Sequence, residues 1–140
     1  MFNWKKKTSI FIGRFQPFHQ GHKKIFLKTL KNSGQVAILV MDSYKVNLKN
    51  PLKFNQVKKL INKRLKNYKK KFIIIKIPVV KEVVYGRKVG FKVKKILDKK
   101  TGIISGTKVR KFAKIKYGKK YINSLLKADI SDLVELENIK

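Results

Sequence analysis

Gly13-Arg14-Phe15-Gln16-Pro17-Phe18-His19-Gln20-Gly21-His22 follows a short apolar run, Thr8–Gly13, and precedes a helical pattern over Gln20–Lys31. The run before it reads as a buried strand ending in glycine. After it, Ile25, Phe26, Leu27 and Leu30 suit the inner face of an amphipathic helix. Asn32-Ser33-Gly34 stops that helix. The quoted stretch is therefore a strand-to-helix turn. Gly13 lets backbone approach a ligand closely, and Pro17 stiffens the turn. Backbone N–H groups and the dipole at a helix N-terminus make an anion site. His19 and His22 sit around this turn so that both imidazoles can face one anion. Arg14 adds a permanent charge with a bidentate fork. These are the only two histidines in the chain.

The same alternation continues outward. Gln35–Met41 and Phe72–Ile77 are continuous apolar strands. Between them Phe54–Tyr68 places Val57, Leu60, Ile61 and Leu65 on one helical face. Asp42–Pro51 is a polar loop, with Asp42 read as its cap. Val83–Tyr85 reads as a short fourth strand and Ile103-Ile104-Ser105 as the last. Helices are expected over Thr107–Lys116, Lys119–Leu126 and Ser131–Asn138. Apolar strands separated by amphipathic helices indicate a parallel sheet covered on both faces. The expected fold is a single doubly wound α/β domain of about five strands, with ligands beyond the C-terminal strand ends. Its core covers about residues 8–116 and a helical tail about 117–140 of the 140-residue chain.

Composition sets further bounds. A chain that is 43% hydrophobic and has no cysteine folds around an apolar core and offers neither disulfides nor thiolate metal sites. Met1–Lys7 is short and charged and has no apolar run behind it that a signal peptidase would recognise, and no stretch approaches the roughly 20 apolar residues of a membrane span. A cytoplasmic location is expected. The formal charge of +30 comes from 37 basic and 7 acidic residues. Nearly all the basic residues are lysine, with arginine only at Arg14, Arg64, Arg87 and Arg110. The lysines are spread over every segment, which argues against a dedicated nucleic-acid surface, although the field attracts small anions. Four of the acidic residues, Asp129, Asp132, Glu135 and Glu137, fall near the C-terminus, in what reads as a solvated helix. A homo-oligomer of such a chain needs interfaces that collect anions or the acidic tail.

A second motif, Ile104-Ser105-Gly106-Thr107-Lys108-Val109-Arg110, sits at another strand-to-helix junction. Ser105 or Thr107 can cap that helix. Arg110, one turn on from Thr107, can reach back toward phosphates held there.

The first motif resembles the signature of the nucleotidyltransferase superfamily marked by His-x-Gly-His. Its fuller form is most similar to the nicotinamide-mononucleotide adenylyltransferase branch. The second motif resembles that family's Ile-Ser-x-Thr-x-x-Arg. Asn50-Pro51-Leu52-Lys53-Phe54 is similar to the Asn-Pro-Phe segment of archaeal-type relatives. The arginine those relatives place a few residues on is replaced here by Val57 and Lys58, so that Lys53 or Lys58 would substitute for it. The stretch Val84–Phe91, with Arg87 between two glycines, is shorter than in typical adenylyltransferases. The resemblance implies a Rossmann-like sheet and transfer of AMP from ATP to a small phosphorylated acceptor, nicotinamide mononucleotide being the nearest candidate. The alternatives are a cytidylyltransferase using CTP and a phosphorylated alcohol, or a non-catalytic relative that binds nucleotides or RNA. His19 and His22 would be catalytic. Gly13, Arg14, Phe15, Gly21, Ser105, Gly106, Thr107 and Arg110 would bind the nucleotide and its phosphates. Lys53 and Arg87 would contact acceptor or nucleotide. Mg2+ would arrive on the triphosphate, because no clustered carboxylates offer a protein cage.

Overall fold

The computed structural model describes residues 1–87, 90–96 and 106–126. Three strands, β1 (Ser9–Gly13), β2 (Val36–Asp42) and β3 (Phe72–Pro78), form a parallel sheet in the order β1-β2-β3. Helix α1 (Gln20–Ser33) crosses from β1 to β2. Helix α2 (Phe54–Arg64) and a 3-10 segment, Lys66–Lys71, cross from β2 to β3. Later in the chain come α3 (Gly106–Tyr117), a 3-10 turn at Gly118–Lys120, and α4 (Tyr121–Leu125).

The helix ends follow from particular residues. Gly34 takes φ 81°, the left-handed conformation that glycine adopts without a Cβ penalty, and its N–H closes α1 onto the Leu30 carbonyl at 2.8 Å. The helical pattern expected through Tyr68 breaks at Leu65 and tightens into the 3-10 segment, where Tyr68 leaves helical geometry altogether.

Strand register explains where the core lies. Phe11, Ile38 and Ile74 share one row, and Gly13, Val40 and Lys76 another, on the same sheet face. The core is built on this face. Phe26 of α1, Val57, Leu60 and Ile61 of α2, and Val109 and Ala113 of α3 cluster with Val36, Ile38, Val40 and Phe72. Phe26 is fully buried, edge-on to both Tyr68 and Phe72.

The α/β class and the parallel open sheet agree with the expectation, but two details differ. Among the described residues the sheet has three strands, not about five. Val83–Tyr85 runs as irregular chain, with all three side chains largely exposed. Among the described residues no strand pairs with this run, and β-branched side chains favour extension only where a sheet packs around them. The cover is also one-sided among the described residues, because two successive right-handed crossovers in the same direction leave both helices on one face. Ile10 (62% exposed) and Ile12 (38% exposed) point to the other face. The expected strand Ile103–Ser105 and the helix Ser131–Asn138 with its acidic residues lie outside the described residues.

One side chain ties the turn after β1 to the loop after β2. Gln16 is buried. Its amide nitrogen donates to the Leu52 carbonyl at 3.0 Å, and its amide oxygen accepts from the Leu52 N–H at 2.8 Å. Leu52 itself is buried, so water cannot replace these bonds.

Two stability predictions follow from this packing. Phe26→Ala should lower the free energy of unfolding by about 3–5 kcal/mol in urea denaturation. Gln16→Ala, which strands a buried N–H and a buried carbonyl on Leu52, should cost about 2–4 kcal/mol in the same measurement.

Candidate active site

The turn after β1 is built around a tightly placed ring. Phe15 takes φ 54°, a left-handed conformation rare for a bulky residue and one that surrounding structure must hold. Its ring folds back over Gly13, where a Cβ would come within 2.8 Å of it. Glycine at 13 is therefore needed for close packing inside the turn. The Gln16–Pro17 peptide is cis.

The two histidines hold each other. The Nδ1 of His19 accepts from the Gly21 N–H (3.1 Å) and the His22 N–H (3.4 Å). The Nδ1 of His22 accepts from the His19 N–H at 3.1 Å. This reciprocal pair is a capping box with imidazole in the roles more often filled by hydroxyl and carboxylate. It changes the expectation for the helix N-terminus. The Gly21 and His22 N–H groups are occupied by the His19 ring, so they do not stand open to an anion. In the neutral form an Nδ1 that accepts leaves the proton on Nε2. Both rings are thereby fixed as Nε2–H donors. The helix dipole acts through His19, since donation into Nδ1 polarises the opposite N–H.

The rings lie nearly parallel, 3.8 Å apart between centroids. Phe15 and Phe18 wall the His22 ring at 4.9 and 5.5 Å. This surrounding keeps both imidazoles neutral. Burial lowers the His19 pKa to about 4, helped by the positive charges of Arg64 and Arg110. Burial, then His19 and Arg64, hold His22 well below the ordinary value of 6.5.

Arg110 reaches the same place from α3. Its Nη1 donates to the Gln16 carbonyl at 2.6 Å and its Nη2 to the Thr107 hydroxyl at 3.3 Å. Gly106 permits this approach, because a Cβ there would lie 2.9 Å from the Arg110 Nη1 and 3.3 Å from the Gln16 carbonyl oxygen. The two sequence motifs thus meet in space: His19, His22, Gly106, Thr107 and Arg110 converge on the turn whose bend includes Gly13, Phe15 and Gly21. Ser105 lies outside the described residues. Arg14 is exposed beside the cluster. Lys53 is exposed at the start of α2, and Arg87 is exposed in irregular chain, with no hydrogen bond joining it to the cluster among the described residues.

Two contributors were not singled out in the sequence. One is Gln16, whose side chain and carbonyl connect three segments. The other is Arg64, which is buried and donates through Nη2 to the Gln20 side chain at 2.7 Å. A signal for it existed: the inward positions Val57, Leu60 and Ile61 continue by one turn to residue 64. An arginine on the apolar stripe of a helix calls for a reason, and here its charge faces the histidine pair.

Asp42 behaves as the expected cap. Its Oδ1 accepts from the Tyr44 N–H at 2.9 Å, and its Oδ2 lies 4.0 Å from the Lys76 ammonium. Among the described residues, no three His, Cys, Asp or Glu side chains gather to form a metal site, and no helix is long and apolar enough to cross a membrane.

Residues 10–59 match the model of the cytidylyltransferase-like family. No curated protein matches the chain. Similar solved structures include a bifunctional NMN adenylyltransferase/ADP ribose pyrophosphatase from Francisella tularensis, 35% identical, with 52% of this chain and 22% of that one covered at a TM-score of 0.48. The same kind of protein from Francisella tularensis, complexed with AMP and a manganese ion, is 35% identical over 52% of this chain and 23% of its own, also at 0.48. The chain thus spans less than a quarter of the length of these proteins. The likeness to the cytidylyltransferase-like family thus lies in residues 10–59, which run from β1 through the histidine turn into α2.

Proposed function

We propose that the protein is a nucleotidyltransferase that moves AMP from ATP to a small phosphorylated acceptor and releases pyrophosphate. The observation that carries this reading is the neutral, Nδ1-anchored histidine pair with Arg110 closing over the same turn. An acceptor phosphate oxygen attacks the α-phosphorus in line, the bond from that phosphorus to the bridging oxygen breaks, and pyrophosphate leaves with the bond's electrons. Such a transfer needs positioning and charge stabilisation more than covalent help. The Nε2–H groups of His19 and His22 would donate to the α-phosphate and bridging oxygens as negative charge grows there. Because the rings are held before substrate arrives, little reorganisation accompanies that step.

Arg110, with Thr107 and Ser105, would hold the β- and γ-phosphates, and Arg14 would contact a phosphate at the rim of the turn. Gly13, Phe15, Gly21 and Gly106 would shape the backbone around the nucleotide. Lys53 and Arg87 remain assigned to acceptor or nucleotide contacts. Mg2+ would be held by the triphosphate oxygens, supplying charge neutralisation there. Asp42, already engaged with Tyr44 and Lys76, is not a free ligand for it. Adenylyl transfer is favoured over cytidylyl transfer by the long form of the first motif and by Ser-Gly-Thr in the second. Nicotinamide mononucleotide is the first acceptor to test.

Steady-state release of pyrophosphate, measured with each of four nucleoside triphosphates and a panel of phosphorylated acceptors, tests the reading. His22→Ala should lower kcat by about 10² or more, the scale seen when one transition-state donor is lost. Turnover near that of the wild type would overturn the assignment.

The histidine environment gives a second test that needs no substrate. Both pKa values lie below 6.5 in the folded chain, so the unfolded chain takes up protons first as pH falls. Folding stability should therefore be fully present above pH 6.5 and decline as the pH drops toward about 4. An NMR titration of the two imidazoles should show no midpoint near 6.5, and urea denaturation should show a less stable protein at pH 5 than at pH 7.

A further inference from the structure

Among the described residues Arg64 is the one lysine or arginine that is buried, at 8% exposure. The other basic residues of α2, Lys58, Lys59 and Lys63, are exposed. We propose that Arg64 is a positioning residue for the transfer step, latching the first turn of α1 through Gln20 and setting a fixed charge beside the histidine pair. The inference rests on the nucleotidyl-transfer reading and adds to it a residue that acts through its neighbours.

The buried positions of α2 are Val57, Leu60, Ile61 and Arg64, so the guanidinium stands where the helix would otherwise continue its apolar stripe. A buried cation is costly unless it is bonded or paired. The last turn of a helix favours a cation and offsets part of that cost. Lys63, in the same turn, has this benefit while it stays exposed, so the helix end does not account for the burial of Arg64.

Burial brings Arg64 to the histidine turn. Its Nη2 donates to the Gln20 side-chain oxygen at 2.7 Å, joining segments 44 residues apart. Gln20 opens α1, directly after His19 and two residues before His22. The bond therefore fastens the end of α2 to the turn in which the two rings cap each other. Gln16 already ties the chain before His19 to Leu52. Held by Gln16 on one side and Gln20 on the other, the histidine pair is fixed from both directions along the chain.

The charge acts on the same geometry. An imidazole that took a proton on Nδ1 would lose the N–H it accepts from and leave the capping arrangement. Burial is the main force against that proton, and nearby positive charge is the next. Arg64 from α2 and Arg110 from α3 bear on His19, and His19 and Arg64 bear on His22. Of the two arginines, Arg64 is thus the one that acts on both rings. Gln20, as an amide, accepts the latch bond without adding a charge of its own, whereas a carboxylate there would oppose the guanidinium.

The test joins an NMR titration of the imidazoles in the free protein to steady-state pyrophosphate release, on the wild type, Arg64→Met, Arg64→Lys and Gln20→Glu. Exchange of a buried charge for an apolar side chain of similar size is often tolerated. Gln20→Glu keeps the latch bond while opposing the charge, so it serves where Arg64→Met fails to fold. In Arg64→Met the His19 midpoint should rise from about 4 and stay below 6.5, because burial remains. Gln20→Glu should raise it as well, with no loss of stability in urea, and Arg64→Lys should keep it near the wild-type value. Arg64→Met should lower kcat about tenfold, less than the loss of a donor itself, and leave both KM values within about twofold. Arg64→Lys should recover part of that loss. Imidazole midpoints unchanged in both Arg64→Met and Gln20→Glu would overturn the inference, and so would a wild-type kcat in Arg64→Met. A wild-type protein that transfers no nucleotide yet shows Arg64-dependent midpoints would remove the transfer reading and leave the coupling of Arg64 to the histidines standing.

Discussion

The side chain of Gln16 does for this site what a strand pair does for a sheet. Its two hydrogen bonds to the backbone of Leu52 join the turn after β1 to the loop after β2, and its own carbonyl receives Arg110 from α3. The helices and the sheet fix each segment only at its ends. Without this junction the histidines, the loop after β2 and the guanidinium of Arg110 would sit on three independent pieces of backbone. Phe15, forced into a left-handed conformation over Gly13, completes the constraint by bending the turn so that Gln16 points inward.

Charge is used unevenly. Lysine covers the surface and sets a general positive field. Around the histidines the fixed charges are arginines. Arg64 and Arg110 both bear on the His19 ring, and each also has a directed hydrogen bond. Guanidinium is suited to this because it stays protonated when partly buried and its donors keep a fixed fork. Burial first, and then these positive surroundings, keep the imidazoles neutral. Neutral rings with Nδ1 occupied are directional donors, and they gain further positive character only as an anion comes close.

Much of this was legible in the sequence where pattern and chemistry coincide. The three apolar runs became β1, β2 and β3, and Gly34 ended α1 because glycine alone takes that conformation freely. The His19–His22 pairing and the return of Arg110 toward Thr107 follow from turn and helix spacing. What escaped was tertiary. That His19 would cap its own helix, taking up the N–H groups expected to bind an anion, depends on the ring's rotation and not on spacing. Gln16 and Arg64 act through partners 36 and 44 residues away, which no local pattern records. Val83–Tyr85 has the composition of a strand, but a strand also needs an edge to pair with.

The long reach of Arg110 has a consequence for how the molecule is made. The histidine box forms between residues 19 and 22, so it needs little more than the first helix. The Arg110 bond to Gln16 closes a loop of 94 residues. Contacts of short separation form early, and closures of that length follow them. A growing chain therefore acquires its histidine pair well before the guanidinium of Arg110, and the cluster becomes whole only when α3 has been synthesised and has docked.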